Sequence, residues 1–149
     1  MAERGDEIPV TAFHFLNSEE SAGILSATTQ VVLKKGEVLF RTGDVAEGVF
    51  FIEKGRLAVL KETGFNHRTQ VVALLEPGAS VGEGGVLGYA PRSATIIAVD
   101  ESVLFCLNRG ILATLAEKDP HILIRILERL LYTTNLRLQK SSERLAHIL

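Results

Sequence analysis

A mainly β domain with helices at its flanks is the fold class this sequence predicts. Three observations carry that prediction. Short apolar runs recur between turn signals, roughly every eight to twelve residues, the texture of a sandwich or small barrel. A glycine-rich segment, Val81 to Thr95, interrupts the strand series. From His121 to Leu149 no Gly or Pro occurs, and apolar residues step by threes and fours, the texture of one long helix.

The elements follow in order. Residues 1–12 read as a disordered lead-in: Met1 to Pro9 is acidic and polar, unlike a signal peptide. Asn17-Ser18-Glu19-Glu20 supplies a cap and first-turn acids for a short helix ending near Ala27. Val31 to Leu33 is a strand, turned by Lys34 to Glu37. Val38 to Phe40 is a second, stopped by Gly43-Asp44, and Gly48 to Ile52 a third, stopped by Lys54-Gly55. Arg56 to Lys61 alternates. Thr63 to Asn66 turns the chain into Thr69 to Leu75, and Pro77-Gly78 turns it again. Ala94 to Val99 and Val103 to Leu107 are the last strands, Gly110 to Lys118 is a short helix, and residues 13–118 make up the barrel domain. Asp119 as cap and Pro120 in the first turn open the final helix, residues 119–149.

The interrupting segment carries the chemistry. It reads V-G-E-G-G-V-L-G-Y-A-P-R-S-A-T. Gly82, Gly84 and Gly85 let backbone N–H groups crowd a ligand, and successive N–H groups at a helix start suit phosphate. Arg92, nine residues after Glu83, offers a planar, permanently charged fork to the same anion. A carboxylate is repelled by phosphate but accepts from hydroxyls, so Glu83 fits a ribose. Phosphate plus sugar points to a nucleotide.

The long helix spans about 28 residues, roughly 42 Å. Ile124, Leu127, Leu131, Thr134, Leu138, Ser141, Leu145 and Ile148 form a heptad seam, apolar except at Thr134 and Ser141. Leu123, Ile126 and Leu130 form a second stripe. The second stripe is expected on the barrel and the seam against the same helix of another copy, giving a homodimer. The basic residues Arg125, Arg129, Arg137, Lys140 and Arg144 read as a solvated face.

Composition narrows the function classes. A net charge of −2 gives no basic face for nucleic acid. The single cysteine, Cys106, lies in an apolar run and reads as core filler, fitting a reducing, cytoplasmic setting. No apolar stretch approaches the length of a membrane span. His14, His67, His121 and His147 are scattered, so no metal site is expected, and no catalytic constellation is visible.

Two motif blocks together resemble the cyclic nucleotide-binding domain family, the module of catabolite activator protein, protein kinase A regulatory subunits and cyclic-nucleotide-gated channels. Gly36-Glu37-Val38-Leu39-Phe40, Gly43-Asp44, Phe50-Phe51-Ile52 and Gly55 match its opening strands and turns. Gly82-Glu83 with Arg92-Ser93-Ala94 matches its phosphate-binding cassette. The resemblance runs from about Phe13 to Leu149. It implies an eight-stranded jelly roll and a regulatory sensor rather than an enzyme, with no cofactor beyond the ligand, cAMP or possibly cGMP. It places Arg92 and Ser93 on the cyclic phosphate, Gly82, Gly84 and Gly85 in the backbone cradle, and Glu83 on the ribose 2′-hydroxyl. For the base it points to polar residues of the long helix, Thr134, Ser141 and Ser142, while counting from Pro120 favours the stretch Thr133 to Arg137. Where the family has a larger apolar residue and then Ala after the Gly-Glu pair, this chain has Gly84-Gly85, which implies a looser cradle and lower affinity. The family's DNA-binding members carry a helix-turn-helix after the long helix. These residues hold no such element, so the output partner is not readable. A ligand-free dimeric module of the same fold is the alternative.

Overall fold

The computed structural model describes residues 11–64, 68–88 and 90–148. Most of the expected lead-in, turn residues Phe65 and Asn66, His67 and the terminal Leu149 lie outside them. Of the lead-in, Thr11 and Ala12 are described. Ala12 is fully buried and donates its N–H to Glu53 Oε1 at 2.8 Å, so it belongs to the folded domain.

Among the described residues, eight strands form two four-stranded antiparallel sheets. In chain order they are β1 (Thr29–Leu33), β2 (Val38–Phe40), β3 (Gly48–Lys54), β4 (Leu57–Thr63), β5 (Arg68–Leu75), β6 (Ser80–Val81), β7 (Thr95–Ala98) and β8 (Ser102–Asn108). One sheet runs β1-β8-β3-β6 and the other β2-β7-β4-β5. The helices are α1 (Ser18–Leu25), α2 (Arg109–Lys118) and α3 (Pro120–Ile148), and a 3-10 turn, Glu83–Val86, follows β6. The mainly β class and the eight strands agree with the expectation. Residue patterning had shown seven of the strands; the two-residue β6 is too short to alternate.

β3 and β8 are covered on both sides, which explains their near-continuous apolar sequence. Their inward residues Ile52 and Leu104 join Leu33, Leu57, Val81 and Ile96 inside the barrel. Their outward residues Val49, Phe51, Phe105 and Leu107 meet Phe13, Ile24 and the helices. Phe13 lies 5.0 Å from Phe51 and 6.1 Å from Phe105, between ring centroids. Fully burying a phenyl or aliphatic side chain here stabilises by about 1.5–3 kcal/mol.

The helix ends obey their local chemistry. Asn17 and Glu20 form a reciprocal capping box, with bonds of 2.8 and 3.0 Å, worth about 1 kcal/mol. Asn108 caps α2 by accepting from Ile111 N–H at 2.8 Å. The stripe α3 lays on the barrel is centred on Ile122, Ile126 and Leu130, one turn apart, with Leu123 packing partly beside it. The expected stripe therefore stands, with Ile122 added. The other face leaves Ile124, Leu127, Leu131, Leu138, Leu145 and Ile148 exposed, from 40% to 79%. From Leu138 to Ile148 every α3 residue is exposed.

The solvated-face reading fits the exposed Lys140 and Arg144 but not Arg125, Arg129 and Arg137. Arg125 pairs with the mostly buried Glu20 at 3.4 Å and donates to the Phe15 carbonyl at 3.1 Å. The Arg129 guanidinium lies over the rings of Phe15 and Tyr132, at 5.9 and 5.3 Å. Arg137 reaches back to the glycine-rich segment. Periodicity along one helix does not reveal partners contributed by distant loops.

Candidate functional site

The glycine-rich segment leaves β6 and turns at once. Gly82 has φ +78°, a left-handed conformation that L side chains rarely adopt, and it opens the 3-10 turn. Its carbonyl accepts from Gly85 N–H at 2.9 Å, which closes the turn and uses that amide. Gly85 is buried, and a Cβ there would collide with the Gly48 carbonyl group. Gly85 is thus required by contact with β3, a different role from the slack expected of it. Gly84 is exposed with open space around its Cβ direction.

Arg92 enters from the other side of the loop. Its N–H donates to the Asp44 carbonyl and its own carbonyl accepts from Gly43 N–H, both at 2.8 Å. The Gly43-Asp44 turn, itself held by Arg41 N–H on Asp44 Oδ2 at 2.9 Å, therefore fixes where Arg92 begins. The side chain runs inward and the residue is 8% exposed. Nη1 donates to the Gly82 carbonyl at 3.0 Å and Nη2 to the Gly48 carbonyl at 2.9 Å. The guanidinium lies 4.1 Å above the Phe40 ring. Its Nε is buried with no hydrogen-bond partner. Among the described residues no carboxylate comes within ion-pair distance. Burial pushes this guanidinium below its ordinary pKa, while Cys106, Asp44 and Glu83 pull it partly back. Cys106 lies half-buried on the inner side of β8, and burial pushes its thiol up while Arg92 pulls it down.

A buried cation without an anion is costly, several kcal/mol after relaxation. Two carbonyls and an aromatic face recover part of that. The Nε is left without a partner among the described residues.

Glu83 is held differently. Its Oε2 accepts from Ser80 Oγ and from Arg137 Nη1, both at 2.8 Å, and Arg137 Nη2 donates to the Ser80 carbonyl at 2.9 Å. The Glu83 and Arg137 side chains remain 25% and 38% exposed, so the pair contributes at most about 1 kcal/mol. It joins the cassette to α3.

These groups line one cavity of about 260 Å³, close to the smallest usual small-ligand sites of roughly 300–1,000 Å³. Gly82, Glu83, Gly84, Arg92 and Ser93 occupy one end, and Val59, Lys61, Ala73 and Leu75 of the β4–β5 hairpin occupy another. Gly85 is the one expected cradle glycine that does not border it. Thr134, Ser141 and Ser142 are exposed on α3 and do not line the cavity within this chain; Arg137 does. A larger open groove of about 600 Å³ runs between α3 and the β5–β6 turn, past Pro77, Tyr132 and Leu136, and shares Leu75 and Arg137 with the cavity. It lacks the buried unpaired cation, so the smaller cavity is the chemically equipped one. Among the described residues, no group of three or more His, Cys, Asp or Glu side chains could hold a metal ion.

Residue reasoning brought Gly82, Glu83, Gly84 and Arg92 to one place, and the resemblance added Ser93. It missed Ser80 and Arg137 as partners of Glu83. Ser80 stands three residues before the acid, where a hydroxyl can reach it. Arg137 is 54 residues away; counting from Pro120 put it at the end of the stretch Thr133 to Arg137 as a register for the base contact, not as a partner of Glu83.

Comparison with known proteins matches residues 30–119 to the profile of the "Cyclic nucleotide-binding domain". The cyclic AMP receptor protein of Thermus thermophilus is 30% identical over 129 residues, 85% of this chain and 59% of that protein. The lysophospholipase nte1 of Neurospora crassa is 35% identical over 99 residues, 64% of this chain and 6% of that protein. This chain therefore spans less than two thirds of either relative. Among solved structures, a cyclic nucleotide-binding domain from Methylobacillus flagellatus superposes with a TM-score of 0.80 at 26% identity, covering 87% of this chain and 72% of that one.

Proposed function

Because this chain belongs to the cyclic nucleotide-binding domain family, we propose that it is a sensor whose cavity takes a cyclic purine mononucleotide and reports occupancy through α3. The observation that carries the proposal is Arg92: a buried guanidinium, lacking a carboxylate partner, on the wall of a cavity with a carboxylate nearby. The cyclic phosphate would neutralise Arg92 and meet Ser93 and the backbone of Gly82 and Gly84. The ribose 2′-hydroxyl would donate to Glu83.

That last contact supplies a route to α3. Glu83 is already bonded to Arg137, so a hydroxyl on the same carboxylate changes the hold of the cassette on the helix. The ligand moves the helix only as far as it binds one arrangement better than the other. The exposed heptad seam of α3 would pair with a second copy, placing Thr134 and Ser141 in the interhelical seam, where polar residues set register. Binding and regulation, not catalysis, is the proposed activity, in a cytoplasmic setting. No helix of the described residues is long and apolar enough to cross a membrane.

A second reading is a ligand-free dimeric module. It is favoured by Glu83, which is already satisfied by Ser80 and Arg137. Melting with and without cAMP or cGMP distinguishes the two. A ligand at 100 times its dissociation constant adds about 2.7 kcal/mol of stability. The sensor reading expects a clear rise in melting temperature, and the scaffold reading expects none with either nucleotide.

A further inference from the structure

The β4–β5 hairpin forms the wall of the cavity left over once phosphate and sugar are assigned. Val59 and Lys61 lie two residues apart on one face of β4, and both line the cavity. Across the ladder they stand opposite Ala73 and Gln70, with a bulge at Val72 between. Val59, Ala73 and Leu75 supply apolar surface for a base.

The polar side chains lining the whole cavity are Lys61, Glu83, Arg92, Ser93 and Arg137. Glu83, Arg92 and Arg137 are engaged with one another or with backbone carbonyls. Lys61 has no hydrogen-bond or ion-pair partner among the described residues. Among the described residues the hairpin therefore offers the base one free polar side chain, and an ammonium only donates.

The two common purines differ in what they offer a donor. Adenine presents the N7 acceptor beside a 6-amino donor; guanine presents N7 and O6, two adjacent acceptors. A lysine at this wall matches the guanine edge and opposes the adenine amino group. Building on the cyclic nucleotide reading above, we infer that Lys61 reads the base and that the preferred ligand is a cyclic mononucleotide whose purine carries a 6-carbonyl. The resemblance favoured cAMP; the donors of this cavity favour cGMP.

The test is calorimetric titration of the full chain and of Lys61→Met with cGMP, cIMP and cAMP. Cyclic IMP keeps the 6-carbonyl and lacks the 2-amino group, so it isolates the contact. The native chain should bind cGMP and cIMP roughly tenfold tighter than cAMP, near the lower bound for base discrimination by a paired donor contact. Lys61→Met should bring the three within about twofold, changing cGMP and cIMP several-fold more than cAMP, with the melting temperature of the ligand-free chain unchanged. The inference fails if the native chain binds cAMP as tightly as cGMP, if Lys61→Met leaves the ratio intact, or if cIMP binds as weakly as cAMP. Those failures leave nucleotide binding standing. Binding of none of the three would overturn the proposed function along with the inference.

Discussion

Arg92→Ala separates a ligand-binding cation from a structural one, because the two roles predict different ratios of lost affinity to lost stability. The side chain makes two bonds to carbonyls, at 3.0 and 2.9 Å, and covers Phe40 at 4.1 Å. Hydrogen bonds involving a charged group contribute about 1.5–3 kcal/mol each. Against that stands the desolvation of a cation with no anion, itself several kcal/mol. The two nearly cancel, so the ligand-free variant should lose no more than about 2 kcal/mol. The ligand complex has no such cancellation, since the phosphate then faces a site with its cation removed. Truncating one member of a buried charge pair costs about 2–5 kcal/mol, or roughly thirtyfold to several thousandfold in affinity. Calorimetry with the tighter of cGMP and cAMP, alongside thermal melts of both proteins, measures the two numbers. An affinity change below threefold, or a stability loss large enough to account for the weaker binding, would refute the reasoning.

Other perturbations probe the remaining parts. Gly85→Ala drives a methyl into the Gly48 carbonyl and should cost about 1–3 kcal/mol in chemical denaturation and weaken nucleotide binding, whereas Gly84→Ala, with open space, should leave stability within about 0.5 kcal/mol. Glu83→Gln should weaken binding of the normal nucleotide but not of its 2′-deoxy analogue; equal weakening of both would place the ribose hydroxyl elsewhere. Replacing Leu131 and Leu138, 71% and 63% exposed, with Glu should convert a dimer to a monomer by light scattering, and a native chain that is already monomeric contradicts the pairing of α3.

Much of the fold was legible because its signals are local. The turns at Lys34–Glu37 and Pro77–Gly78 fall between strands, and the Asn17 cap, with its acids, starts α1. β6 was not legible, since its two residues hold their place by pairing with Phe50 and Phe51 rather than by any pattern of their own. In the site, Glu83 and Arg92 were legible from residue chemistry at short spacing. What Arg92 rests on was not: the Gly48 carbonyl comes from 44 residues away, and the requirement for Gly85 arises at that same strand. Arg137 is a similar case, an arginine whose partner depends on where a helix crosses the barrel. Lys61 was read as part of an alternating strand, and only the folded hairpin, with its bulge at Val72, shows which side of the sheet it faces.

The proposed sensor function stands on a cyclic phosphate completing the surroundings of Arg92. A crystal structure grown in excess cGMP or cAMP tests it most directly. Phosphate oxygens are expected within hydrogen-bond distance of the Arg92 guanidinium, with the sugar on Glu83. Nucleotide bound only in the α3 groove beside Tyr132, or an empty cavity with Arg92 still on the Gly48 and Gly82 carbonyls, would contradict it.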